Sequence, residues 1–206
     1  MFSEKLFNIQ WGMKIMKAKI LKLIYSLIFI FLVLYPNIYL AGKQAVNEIR
    51  GMDSLIDPDN PEVIKLAEYL KSNEINPEKY IYTHIKWASD YDVYWNLEYW
   101  ATPEETIKNG RGDCEDRAIL LKSVEEYLGI KSKMVIQKDH VYILKDNIPY
   151  GGVSETNSYI KVLWELIKEI PFIRKIIMIF GLFMIWGGYK KLKQYRKHFI
   201  KQRTIL

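Results

Sequence analysis

Residues 110–144 read GRGDCEDRAILLKSVEEYLGIKSKMVIQKDHVYIL and hold the chain's single cysteine, Cys114, and one of its three histidines, His140. Asp113 suits a helix N-cap, and Glu115 and Asp116 put negative charge in the first turn. Ala118, Ile119, Leu121, Val124 and Leu128 follow as an apolar stripe at helical spacing. Gly129 ends that helix. SKMVIQ and HVYIL then read as two strands joined at Lys138-Asp139, and NIPYGGVSETN as a turn, a short extended piece and another turn. Helices come first, then the helix bearing the cysteine, then a small antiparallel sheet, so the expected fold is α+β.

Upstream, Asn60 and Pro61 open a helix with Val63, Ile64, Ala67 and Leu70 on one face. Asn76 caps a second helix, expected from Pro77 toward Ala88, with Tyr80, Ile81, His84, Ile85 and Trp87 at helical spacing. Thr102-Pro103-Glu104-Glu105 opens a short helix that Gly110 closes. The aromatic stretch YDVYWNLEYW (91–100) supports no assignment. AGKQAVNEIRGMDSLIDPDNPE (41–62) reads as a stalk ending in turn chemistry. Tyr159 to Ile170 is amphipathic, with Ile160, Leu163, Trp164 and Ile167 on one side.

The net charge of +6 is unevenly placed. Residues 1–22 carry five lysines and one glutamate, residues 190–206 carry seven basic residues and no acid, and residues 43–170 carry 16 basic and 23 acidic residues. A nucleic-acid surface needs basic residues on the folded domain itself, so no nucleic-acid partner is expected. The basic ends flank two apolar runs instead. Leu23 to Gly42 has no charged residue over about 20 positions, the length a helix needs to cross a bilayer core. Pro36 is expected to kink or end that helix. A cleaved signal peptide is the rival reading, but Tyr39 is too large for an A-x-A-like site before Ala41. The second run is shorter and reaches a full span over 170–189 only if Arg174 and Lys175 snorkel to the interface. The positive-inside bias then gives a basic cytoplasmic N-terminus (1–22), a transmembrane helix (23–42) and an extracytoplasmic domain (43–165). A second transmembrane helix (170–189) and a basic cytoplasmic tail (190–206) complete the cell-membrane protein.

At the first position of a helix, the sulfur of Cys114 feels the positive end of the macrodipole, which favours the nucleophilic thiolate; the flanking carboxylates oppose that shift. A thiolate catalyst also needs a proton-relaying imidazole, itself oriented by a third group. His198 lies in the basic tail, and His84 on a helix expected to face the core. His140 opens a strand near the helix N-terminus and can meet Cys114.

Gly110, Gly112, Asp113-Cys114-Glu115-Asp116, Ala118-Ile119-Leu120-Leu121, Leu128-Gly129-Ile130 and His140-Val141-Tyr142 occur in an order that resembles the core of the transglutaminase-like superfamily of papain-like cysteine enzymes. The likeness covers about Trp95 to Asn157. It implies a Cys114 nucleophile, a His140 proton relay, an acyl thioester and an oxyanion hole that includes the Cys114 N–H. Trp100 matches an upstream residue that assists the hole in many relatives, although core packing is its preferred role here. Tyr142 replaces the usual tryptophan after the histidine. No aspartate precedes a proline or threonine on the following strand. Asn157 is the preferred third residue by spacing, with Glu155 and Asp146 as alternatives. A turn at Lys145 to Asn147 would leave Asp146 at its tip. Some relatives bind calcium beside the cysteine, which would involve Asp113, Glu115 and Asp116. The preferred reading of these acids is a cap, helix-dipole charges and salt bridges to Arg111 or Arg117, with no cofactor.

The implied activity is that of a membrane-anchored cysteine peptidase or amide acyltransferase with a protein or peptide substrate, hydrolysis ranking ahead of cross-linking. The alternative is a catalytically degenerate module that binds an envelope protein or peptide in the same groove.

Overall fold

The computed structural model describes residues 2–137, 140–152 and 159–203. The chain forms two compact units: Asn37–Ile170, and a helical unit of Met1–Pro36 with Pro171–Leu206.

The helical unit comprises α1 (Phe2–Leu34) and the chain's last helix, Phe172–Arg203. They run antiparallel, since Lys22 Nζ donates to Ile185 O (3.0 Å), Trp186 Nε1 to Ser26 Oγ (3.0 Å) and Arg174 Nη1 to Val33 O (3.1 Å). Their outward side chains, among them Leu23, Leu27, Phe31, Ile176, Phe180 and Phe183, are exposed and apolar. The span expected over 23–42 is not one helix, and the break falls at Pro36, where a kink or an end is expected. α1 starts earlier and ends at Leu34, because Pro36 has no N–H to continue the ladder, and Asn37 then caps a new helix by accepting from Leu40 N at 3.2 Å. Among the described residues no single helix is long and apolar enough to cross a membrane. Only Ile15–Leu34 and Ile38–Arg50, separated by that break, reach the mark together.

The larger unit is α+β. In chain order it contains α2 (Ile38–Arg50), a 3₁₀ turn (Met52–Leu55), α3 (Pro61–Ser72), α4 (Pro77–His84), β1 (Lys86–Trp87), α5 (Asp90–Val93), α6 (Pro103–Asn109) and β2 (Arg111–Gly112). Next come α7 (Cys114–Tyr127), β3 (Lys133–Ile136), β4 (Val141–Lys145), β5 (Ile148–Tyr150) and α8 (Tyr159–Glu169); the helical unit's Phe172–Arg203 is α9. α7 is the central element, packed on α3, α4, α6, β3 and β4. Its Ala118, Ile119, Leu120, Leu121 and Val124 are fully buried with Val63, Leu70, Ile81 and Ile143. Each of the valine, leucine and isoleucine side chains contributes about 1.5–3 kcal/mol, whereas the Asp113 cap adds about 1 kcal/mol. Packing therefore decides where α7 lies, and the cap decides at which residue it begins.

The three-stranded sheet is antiparallel in the order β3-β4-β5, with Val135 opposite Tyr142 and Lys145 opposite Ile148. Asp146 and Asn147, both at positive φ, form the two-residue turn between β4 and β5. β1 and β2 make a short parallel pair that sets Trp87 beside Gly112 and so holds the loop entering α7. Gly112 is required there, because a Cβ would meet Asp116 Oδ2 at 2.5 Å.

Two further expectations change. The 41–62 segment is no stalk: Gln44 Oε1 accepts from Trp100 N at 2.8 Å and Lys43 pairs with Glu105 at 3.0 Å, which fastens α2 to the domain. α4 stops at His84, so the polypeptide can leave as β1. His84 and Trp87 are consequently exposed, with His84 stacked on Tyr80. The apolar side of α8, with Ile160, Leu163, Trp164 and Ile167, is exposed. The Thr102–Glu105 capping box forms as its residues predict.

Candidate functional site

Cys114 occupies the first position of α7 behind the Asp113 cap, whose Oδ1 accepts from Asp116 N at 3.4 Å. His140 directly precedes β4. Because β4 packs on α7, both residues line one cavity of about 490 Å³. The backbone N–H of Val141, the residue next to His140, is the one influence on the Cys114 sulfur that favours its thiolate, and it is a weak one. The thiol itself donates to Glu115 Oε2 at 2.7 Å. Burial pushes the thiol well above its ordinary range, and the charges of Glu115 and Asp113 push it further. The helix terminus is thus outweighed, and the resting sulfur is a thiol facing a carboxylate.

His140 Nε2 lies 2.8 Å from Gly151 O. A carbonyl can only accept, so Nε2 carries the proton and, in the neutral ring, Nδ1 is the unprotonated nitrogen. The carbonyl is itself held in place: Tyr82 Oη donates to Tyr150 O at 3.2 Å, and a Cβ on Gly151 would meet Tyr82 Oη at 2.5 Å. Gly151 also has φ +99°, a conformation that side chains other than glycine's resist. The Arg117 guanidinium sits over the Tyr82 ring at 5.7 Å. His140, Tyr82 and Arg117 thus form one wall of the cavity.

The cavity also carries acids. Asp90, Glu98, Asp113 and Glu115 line the cavity, and Asp116 is buried behind Gly112. Asp90 Oδ2 accepts from Tyr99 N at 2.6 Å, Asp116 Oδ1 from Ala101 N at 2.8 Å and Glu98 Oε1 from Trp100 Nε1 at 2.8 Å. Asp90 Oδ1 and Asp116 Oδ2 are buried without a hydrogen-bond partner. Burial first, and the neighbouring carboxylates second, raise Asp90 to about 11 and Glu98 to about 7, and hold Asp116 well above the usual carboxylate range.

Acids raised on folding bind more protons in the native state than in the unfolded chain. Their stabilisation is complete below the ordinary carboxylate range and is lost as pH rises toward the native values. Urea unfolding is therefore expected to show the protein several kcal/mol less stable at pH 8 than at pH 5, since one group that keeps its proton throughout contributes about 1.4 kcal/mol per pH unit. Asp116→Asn should flatten that dependence, and a stability that rises over this interval would contradict the assignment.

Two groups have ligand atoms close enough to share a cation, all within 4.8 Å: Asp90, Asp113 and Asp116, and Asp113, Cys114 and Glu115. The orphaned oxygens of Asp90 and Asp116 are the hard donors a divalent cation such as calcium takes. Among the described residues neither Arg111 nor Arg117 forms the expected salt bridge to Asp113, Glu115 or Asp116, since Arg117 is turned onto Tyr82.

Of the expected third residues, Asn157 and Glu155 lie outside the described residues. Asp146 is at the exposed tip of the β4–β5 turn and does not line the cavity. Trp100 is half-buried; it packs against the core and also lines the cavity. Tyr82, Asp90, Glu98 and the Gly151 carbonyl carry no local signal that places them at the site. The paired glycines 151 and 152 were readable only as a turn. Compared with family models, with curated proteins and with solved structures, the chain gives no match in any of the three.

Proposed function

We propose that the larger unit is a transglutaminase-like cysteine enzyme that cleaves or transfers peptide or other amide acyl groups, with peptidase activity ahead of cross-linking. One observation carries the reading: the sole cysteine, at the N-terminus of the central helix, lines the same cavity as a histidine whose ring is held by a backbone carbonyl. Rotation of the Cys114 side chain away from Glu115 brings its proton to His140 Nδ1, and catalytic hydrogen bonds commonly tighten in this way once substrate is bound. The sulfur then attacks the amide carbonyl while the Cys114 N–H receives the oxyanion. The C–N bond breaks, His140 returns the proton to the departing amine, and water or an amine resolves the thioester. Calcium on Asp90, Asp113 and Asp116, or on Glu115, would neutralise the acids that hold the thiol protonated.

The exposed apolar side chains of α1 and α9, next to basic termini, support a membrane anchor with the domain outside the cytoplasm. The thiol–Glu115 bond favours the second reading, a binding module without catalysis, because it leaves the sulfur protonated. A peptide vinyl sulfone, which mimics the scissile amide, distinguishes the two. The enzyme reading expects Cys114 to be labelled faster than free cysteine and to slow in His140→Ala. A rate equal to free cysteine and indifferent to His140 would remove the enzyme reading.

A further inference from the structure

The two sides of α8 (Tyr159–Glu169) face different surroundings. Leu166 and Glu169, three positions apart, line the cavity that holds Cys114, and Ile170 just beyond them is buried. Ile160, Leu163, Trp164 and Ile167 share another side at helical spacing, and they stand 81, 58, 58 and 41% exposed. Single exposed apolar side chains are ordinary, but four on one face form a patch that marks a surface the helix is built to meet. What borders the patch indicates that surface. Only Ile170 and Pro171 separate α8 from α9, whose first residues, Phe172 and Ile173, are again apolar and exposed. Residues 168–175 carry three basic side chains, Lys168, Arg174 and Lys175, against one acid, Glu169. An apolar face that includes a tryptophan and is bordered by basic residues suits a helix lying in the plane of a membrane interface. There the indole sits at headgroup level and the cations meet anionic lipid. At 11 residues α8 is too short to cross a bilayer, so in contact with one it lies along it.

We propose that α8 lies along the surface of a bilayer containing anionic lipid, with Ile160, Leu163, Trp164 and Ile167 in the lipid and Leu166 and Glu169 toward the Cys114 cavity. The inference rests on the reading of α1 and α9 as a membrane anchor and adds how the site is held against the membrane. A helix with its side chains is about 10–12 Å across, so a cavity lined by α8 stands within about that distance of the headgroups. A second copy of the chain would cover the same face with protein and exclude lipid from it, which the experiment separates.

Spin labelling of the whole chain in vesicles of phosphatidylcholine and phosphatidylglycerol tests this. In a Cys114→Ala background, which removes the only cysteine, a nitroxide is attached in turn to Ile160→Cys and Leu163→Cys on α8, to Lys71→Cys on α3 and to Phe180→Cys on α9. All four positions are exposed, so the labels leave the core intact. Collisions of each nitroxide with oxygen, which concentrates in lipid, are divided by its collisions with a water-soluble nickel chelate. The ratio at 160 and 163 is expected to exceed that at 71 at least about fivefold, as for side chains seated below the headgroups. A ratio at 160 and 163 equal to that at 71 would overturn the proposal. So would suppression of both kinds of collision there, the sign of a second copy or another protein on the face. A lipid-like ratio at 180 with a water-like ratio at 163 removes the interfacial helix and leaves the anchor. The reverse pair removes the anchor and leaves the helix, so the two fail separately.

Discussion

Glu115→Gln is expected to accelerate alkylation of Cys114 by about an order of magnitude at neutral pH. Glu115 Oε2 accepts the thiol proton at 2.7 Å, and its charge is the largest electrostatic contribution raising the thiol after burial. Glutamine retains the shape of the side chain but removes both the charge and the strong acceptor. A larger fraction of the sulfur then ionises. The gain is smaller than the change in thiolate fraction, because a thiolate of lower basicity is also a weaker nucleophile. Iodoacetamide rates measured across pH give the result directly, as a titration midpoint displaced downward relative to the unmodified protein. If Glu115 itself were the general base, the substitution would slow the reaction instead, and the role assigned to His140 would have to pass to Glu115.

Gly151→Ala is expected to reduce His140-dependent labelling by the peptide vinyl sulfone roughly 10- to 100-fold while leaving far-UV circular dichroism unchanged. The added methyl would stand 2.5 Å from Tyr82 Oη, at φ +99°. A strained backbone position of this kind costs of order 1–3 kcal/mol, and the chain can relieve it by moving the 151 carbonyl, which accepts from His140 Nε2 at 2.8 Å. Without that acceptor the imidazole loses its tautomer and its orientation together. Tyr82→Phe is the milder companion: it removes only the hydroxyl that steadies Tyr150 O, so its loss should be several-fold and should shift the pH midpoint of the reaction. A Gly151→Ala protein that reacts at the original rate with the original pH profile would show that the Gly151 carbonyl does not position His140.

The parts of the site legible in the sequence are those governed by neighbours a few residues away. Asp113 with Asp116 marked the start of α7, Thr102 with Glu105 marked the start of α6, and Asp146-Asn147 supplied the positive-φ turn between two strands. Each depends on a hydrogen bond or dihedral preference within one turn of chain. Pro36 likewise announced the end of α1, because a missing N–H acts where it stands. The 41–62 segment reads locally as a stalk because what fastens it, Gln44 on Trp100 and Lys43 on Glu105, lies more than 50 residues away along the chain. His84 shows the same limit from the other side: its helical spacing implied a buried face, yet α4 ends at that residue and leaves the ring exposed on Tyr80.

By itself, then, the sequence determined that a helix starts at Cys114, that a short hairpin follows, and that a thiol and an imidazole stand at ends of elements able to pack together. Caps, turns and apolar periodicity are local, and their energies of about 1 kcal/mol each act whatever the rest of the chain does. Only the tertiary structure decided what the sulfur and the ring touch. It placed Glu115 rather than His140 on the thiol, a backbone carbonyl on His140, Tyr82 beside that carbonyl, and Asp90 and Asp116 in the same buried region with one unpartnered oxygen each. These are contacts between elements distant in sequence, set by how α4, β2 and β4 pack on α7 and β5 on β4, and a carbonyl oxygen, present in every residue, gives the sequence nothing to mark it.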